Sequence, residues 1–181
     1  MNKLIITALA LVIIGVGCTA TDKQIPTQET PSQTPAASEP TPKQNKVLDI
    51  SFKDYNGNDV TLADFSGKPV VANSWAVWCP FCVKELPDFA EMQKEFGDGV
   101  VIIAINRKES QSRTESYLDE RGVRDDLVFW LDAGDKFYQT IGGFSMPETL
   151  FISPSGKIVE HKRGVMEADE IRQKIKTNFN I

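Results

Sequence analysis

Two of the chain's three cysteines lie in the stretch Trp75-Ala76-Val77-Trp78-Cys79-Pro80-Phe81-Cys82. Cysteines separated by two residues can exchange disulfides, form a structural bridge or supply half of a zinc site. A bridge across so short a loop restrains the unfolded chain little, because the entropic gain grows with loop length. A structural zinc wants four ligands, and the thiols and imidazoles left beyond this pair are Cys18 and His161. Redox chemistry is therefore the use that the spacing favours. An outer thiolate would attack a substrate disulfide, and the inner sulfur would then attack the mixed disulfide and release the reduced product.

That chemistry needs the pair at a particular corner. Val70-Val71-Ala72 followed by Trp75 reads as a buried strand, and Val83, Leu86, Phe89, Ala90, Met92, Gln93 and Phe96 recur at helical spacing behind the cysteines. The two cysteines thus fall where a strand gives way to a helix, with Cys79 in the first helical turn. The first amides of a helix lack internal partners and carry the positive end of the peptide dipoles, which favours a thiolate there. Cys82, three residues on, is expected to be more buried and to resolve rather than initiate.

Around this corner, Val47–Phe52, a turn at Asn56-Gly57 and Val60–Leu62 predict an N-terminal β-hairpin. Gly67-Lys68-Pro69 turns into the strand at 70–74, and Pro87 is expected to bend or step the helix. Further strands are predicted at 100–105, 127–131, 148–152 and 158–163, and helices at 111–121, 135–141 and 168–179. Strands alternating with helices, then a hairpin and a closing helix, give an α/β architecture around a mixed sheet.

The chain begins differently. Residues 1–17 carry Lys3, an apolar run from Leu4 to Ile14 and the small residues Gly15-Val16-Gly17, the pattern of an export signal. The run is shorter than the roughly 20 apolar residues of a spanning helix. Gly15-Val16-Gly17-Cys18 resembles the lipobox of bacterial lipoproteins, although Gly15 stands where an aliphatic residue is usual. The expectation is that Cys18 is acylated and becomes the mature N-terminus; the alternatives are a signal cleaved near Ala20 and an uncleaved anchor. Residues 18–46 contain five prolines among Thr, Gln, Ser and Ala and no aromatic residue, the composition of a disordered tether. Residues 47–181 then make one domain of about 135 residues, within the usual size range. The net charge of −5 becomes −6 without Lys3, and no basic patch points to nucleic acid.

From about Val47 to Phe179 the chain resembles the TlpA/ResA group of membrane-tethered thiol-disulfide oxidoreductases with a thioredoxin-like fold. The resemblance rests on Gly67-Lys68-Pro69-Val70-Val71 before Asn73, on the Trp75–Cys82 stretch, on Glu85-Leu86-Pro87 and on Met146-Pro147-Glu148-Thr149-Leu150-Phe151-Ile152. It implies a mixed central sheet flanked by helices, with the N-terminal hairpin and a family insertion. It implies that Pro147 is a cis-proline facing the dithiol, that Met146 offers its backbone to a docking substrate, and that Trp78, Pro80 and Phe81 shape the docking surface. Glu85 corresponds to an acid beneath the dithiol, able to take the proton of Cys82; the alternative is a solvated first-turn acid. Ser74, Phe81 and Glu148 depart from the family's usual choices, and His161 is expected to be exposed and structural.

The function implied is an exported, lipid-anchored reductant of protein disulfides that needs no dissolved cofactor. Its substrates would be apocytochrome c or other exported proteins with paired cysteines. A membrane thiol carrier of the CcdA or DsbD type would recharge it outside the cell membrane, where disulfides otherwise persist. The same site run backward would be a disulfide-introducing oxidant. A peroxiredoxin would need Thr where Ala76 stands, and a copper-delivery lipoprotein would use a different cysteine spacing with a well-placed histidine.

Overall fold

A computed structural model describes residues 46–181. The signal expected at 1–17, the lipidation site at Cys18 and the tether up to residue 45 lie outside the described residues.

The apolar run after Pro69 becomes β3 (Val70–Trp75), buried at every position. A strand with no exposed face belongs inside a sheet, covered on both sides. It pairs in parallel with β4 (Val101–Arg107) and antiparallel with β6 (Glu148–Ile152). Outward from β4 come β5 (Val128–Asp132), β1 (Phe52–Asp54) and β2 (Asp59–Val60); outward from β6 comes β7 (Ile158–Arg163). The seven-stranded mixed sheet therefore has the order β2-β1-β5-β4-β3-β6-β7. The helices are α1 (Pro80–Phe96), α2 (Gln111–Arg121), α3 (Lys136–Thr140) and α4 (Ala168–Phe179).

Alternation along β3 sorts the interior into two layers. Val71 joins Phe89 and Met92 of α1, Ile102, Phe151, and Ile171 and Ile175 of α4 on one face. Val70 and Ala72 join Phe52, Leu62, Ile103, Trp130, Phe137 and Leu150 on the other. At the carboxyl end of β3, Trp75 packs with Cys79, Cys82, Leu86, Ala104, Leu118 and Phe129. The dithiol therefore stands on close-packed apolar side chains.

Several boundaries are those the sequence predicts: α2 ends at Gly122, whose φ of 65° is the left-handed cap geometry. Others differ. Residues 46–48 are helical and the hairpin is confined to β1 and β2, because Val47 and Leu48 bury against the Phe52 layer rather than pair with a strand. Leu62 opens a short 3-10 helix, Leu62–Phe65, instead of ending a strand. α1 runs uninterrupted through Pro87. Cys79 precedes the helix as its cap, and Pro80 takes the first helical position, where a missing N–H costs nothing and the ring presets φ.

Phe151 is fully buried in the layer beneath α1 and α4. Phe151→Ala is expected to lower the unfolding free energy by about 3–5 kcal/mol, the range for truncating a buried Phe. A urea titration would show this as a lower midpoint at unchanged slope, and a loss below about 1 kcal/mol would contradict the packing described.

Candidate active site

Cys79 and Cys82 are joined in a disulfide. Cys79 caps α1, and its Sγ accepts the backbone N–H of Cys82 at 3.1 Å, taking up one of the helix's unpaired first-turn donors. Cys82 is the more buried sulfur, but only by 0 % exposure against 2 %. What separates the two is position: one lies before the helix and faces its free amides, the other lies within it.

Around the pair, Trp78 and Phe81 are 56 % and 58 % exposed, and Pro80 is exposed as well. The peptide bond between Met146 and Pro147 is cis. Pro147 is buried, and Met146 packs against the cluster that holds both cysteines. Ser74 is buried, with its Oγ 3.9 Å from the Met146 sulfur, so the space left by this small residue meets the segment before the proline.

Glu85 is fully buried, which removes the alternative of a solvated first-turn acid. Its Oε1 accepts Asn73 Nδ2 at 2.8 Å and its Oε2 accepts the Met166 amide at 3.1 Å, while Asn73 also donates to Thr149 Oγ1 at 3.0 Å. Burial pushes the carboxyl up to about 8, against the opposing pull of the Met166 and Asn73 hydrogen bonds. In this bridged state neither sulfur is among its partners, but the acid sits one turn past Cys82 on the same buried side of α1 and holds a proton near neutral pH. The site thus combines a CxxC disulfide with a buried acid of raised proton affinity one turn behind it, an arrangement that suits thiol–disulfide exchange.

Two acids have contacts that the sequence does not show: Glu109, which it does not mark at all, and Glu148, which it marks only as an unusual choice. Glu109, nearly buried, accepts the Val77 amide at 2.7 Å and Asn106 Nδ2 at 2.8 Å on Oε2, and Arg113 Nε at 2.8 Å on Oε1. It thereby holds the loop between β3 and Cys79. Only the tertiary approach of residues 77 and 109 reveals this, and no local pattern marks it. Glu148 is also fully buried, and its Oε2 lies 2.6 Å from His161 Nε2. His161, expected to be exposed, has a side chain only 21 % accessible and is paired. Strands β6 and β7 place Leu150 opposite His161, so the ring shares the sheet face of Glu148. Among the described residues no three His, Cys, Asp or Glu side chains group to hold a metal ion.

A family model described as Redoxin matches residues 42–176. The chain belongs to the Redoxin family. Within it, the chain is 35% identical over 116 residues to the thiol-disulfide oxidoreductase ResA of Bacillus subtilis (strain 168), a match that spans 64% of each chain, just under two thirds of that relative's length. Among solved structures it resembles the pneumococcal exposed lipoprotein thioredoxin of Streptococcus pneumoniae strain TIGR4, at 30% identity and a TM-score of 0.62, covering 71% of this chain and 98% of that one. StoA from Bacillus subtilis, at 22% identity, a TM-score of 0.59 and coverage of 68% and 93%, shares the fold. The Redoxin chain described here thus has the expected thioredoxin-like α/β fold, with the cysteine pair of an oxidoreductase at the start of α1.

The raised proton affinity of Glu85 has a sign that can be tested in the oxidised protein, where neither cysteine titrates. Below the ordinary 4.5 the acid is protonated folded or unfolded; between there and about 8 only the unfolded chain releases the proton, so stability falls as pH rises. The contribution is up to about 1.4 kcal/mol per pH unit for one proton. Denaturant unfolding between pH 5 and 8 should show a flatter pH dependence for Glu85→Gln than for the parent, whatever the constant offset from the altered hydrogen bonds. Parallel curves would contradict the assignment.

Proposed function

We propose that this oxidoreductase works outside the cytoplasm as a lipid-anchored reductant of protein disulfides. The observation that carries the reading is the bridged Cys79–Cys82 pair at the start of α1, with Cys79 as the helix cap and Glu85 buried one turn behind Cys82.

In the reduced protein the Cys79 thiolate attacks one sulfur of a substrate disulfide. A Cys79–substrate bond forms, the substrate bond breaks, and the departing substrate sulfur takes up a proton. Cys82, as a thiolate, then attacks Cys79: the Cys79–substrate bond breaks, the intramolecular bridge forms, and the second substrate sulfur leaves and takes up a proton from water, so the substrate departs as a dithiol that has received two electrons. Cys82 must lose its proton during this second step; Glu85 in its ionised form is the acceptor, and its raised proton affinity lets it hold that proton in the bridged state until the pair is reduced again. Trp78, Pro80, Phe81, Met146 and Pro147 form the face on which the substrate lies. The protein chain itself carries the electrons, with no dissolved cofactor.

Attachment through an acylated Cys18 is supported by Gly15-Val16-Gly17-Cys18 and by likeness to a neighbour described as an exposed lipoprotein thioredoxin. The bridged state is restored to the dithiol by a membrane thiol carrier of the CcdA or DsbD type. Exported proteins with paired cysteines, apocytochrome c among them, are the substrates that fit a tethered reductant.

Trapping tests both the chemistry and the partner. Cys82→Ser removes the resolving sulfur, so the variant should accumulate a covalent mixed disulfide with its exported substrate, visible as a reductant-sensitive adduct and identified by mass spectrometry. Cys79→Ser should abolish turnover to background and form no adduct. Adducts on Cys79→Ser but not on Cys82→Ser would reverse the two roles.

A further inference from the structure

The exchange reaction does not explain why a fully buried carboxylate follows the cis-proline directly. Glu148 and Thr149 are neighbours on β6 and so point to opposite faces of the sheet. Thr149 meets Asn73 beneath the dithiol, and Glu148 turns to the other face, toward the segment that leads into Pro147. Its Oε1 accepts the backbone amides of Phe144 at 2.6 Å and Ser145 at 2.8 Å. Its Oε2 is held by His161 from β7, and Arg163 Nε lies 3.7 Å from Oε1. A buried carboxylate accepting two adjacent amides fixes both peptide planes, through hydrogen bonds strengthened by charge and low surrounding polarity.

A second set of contacts fixes the same segment from α3. Tyr138 donates its hydroxyl to the Ser145 carbonyl at 3.0 Å, and its ring lies under the Arg107 guanidinium at 3.5 Å. Arg107 is in turn clamped by Asp135 through two 2.7 Å hydrogen bonds. Gly143 passes so close to the Tyr138 ring that a Cβ there would lie 2.5 Å from it.

All this fixing ends on a side chain with almost no partner of its own. Phe144 is 86 % exposed, at the end of a run that leads through Ser145 to Met146, which packs on the cysteine cluster. A large apolar side chain held out in water by an ordered backbone gains nothing from the fold and is suited to recognition. Of the five large hydrophobic side chains exposed among the described residues, Trp78 and Phe81 lie in the cysteine stretch, and Phe144 lies two residues before Met146, which packs on the cysteine cluster.

We propose that Glu148, locked to His161, is a positioning residue for substrate docking: it fixes the segment 144–146 so that Phe144 meets an apolar side chain flanking the substrate's cysteine. The substrate class this selects is an extended polypeptide with a bulky apolar residue close to its disulfide. The inference rests on the proposed reduction of protein disulfides and adds the element that chooses among them.

The test compares kcat and KM for a disulfide-bonded peptide carrying Leu or Phe beside its cysteine with those for the same peptide carrying Ser there. Phe144→Ala should raise KM for the apolar peptide about tenfold, the effect of removing an aromatic anchor, and leave the ratio of KM values between the two peptides close to one. Glu148→Ala should raise the same KM, Glu148→Gln should restore most of it by keeping an acceptor for the two amides, and Glu148→Ala combined with Phe144→Ala should be no worse than Phe144→Ala alone. A role confined to stability would lower the unfolding midpoint of the Glu148 variants without moving KM, and would overturn the proposal. So would a Phe144→Ala protein that keeps its preference for the apolar peptide, a result that needs no Glu148 variant to fold. If the parent protein reduces neither peptide, the reductant reading fails; if it reduces both equally well, only the selection proposed here fails.

Discussion

The site depends on where α1 begins. Because Pro80 cannot donate and takes the first helical position, the chain immediately before it becomes the cap, and that residue is Cys79. A sulfur there faces the unpaired amides of the first turn and accepts one of them. The same geometry brings Cys82 back one turn later at bonding distance. Moving the helix start by one residue would separate the sulfur from the first-turn amide that it accepts. The Trp75–Leu86–Phe129 cluster beneath, and Glu109 holding the Val77 amide, fix that start in space.

A second constraint is strand alternation at the end of β6. Thr149 reaches the Asn73–Glu85 pair on one face of the sheet, while Glu148 reaches the 144–145 amides on the other. One strand therefore braces both the buried Asn73–Glu85 pair and the segment before the cis-proline. Each carboxylate is fully buried, and each is tolerated because both of its oxygens have partners. Burial pushes Glu85 up to about 8 against the pull of its two hydrogen bonds, and Glu148 accepts the amides of Phe144 and Ser145 beside His161.

What the sequence made legible follows from the range of the forces involved. The buried strands announce themselves as apolar runs, α4 as a strongly periodic segment whose limits match the expected 168–179, and α2 by the glycine that ends it. The cysteine pair stands out from spacing alone, whereas a cis Pro147 and an acid beneath the dithiol at Glu85 are legible only through the family resemblance, and a solvated Glu85 fits the sequence until the fold buries it. Val47-Leu48 misled because two adjacent apolar residues fit a strand or a helical turn equally, and only packing against Phe52 decides. His161 misled because its partner lies 13 residues away across a hairpin, and a lone histidine among Lys162 and Arg163 has the composition of an exposed edge. Glu109 and Phe144 gave no signal, since a carboxylate's contact with a distant amide and a side chain's lack of contact are both products of the assembled fold.

The proposed exchange requires two sulfurs that open and close together. Equilibrating the isolated domain in glutathione buffers of graded ratio, quenching with a thiol-blocking reagent and weighing the products would measure this directly. The expected result is a population of doubly blocked and unblocked molecules only, passing from one to the other in a two-electron transition on the reducing side of glutathione. A midpoint far on the oxidising side would contradict the reductant, and singly blocked molecules throughout the titration would contradict the coupled pair itself.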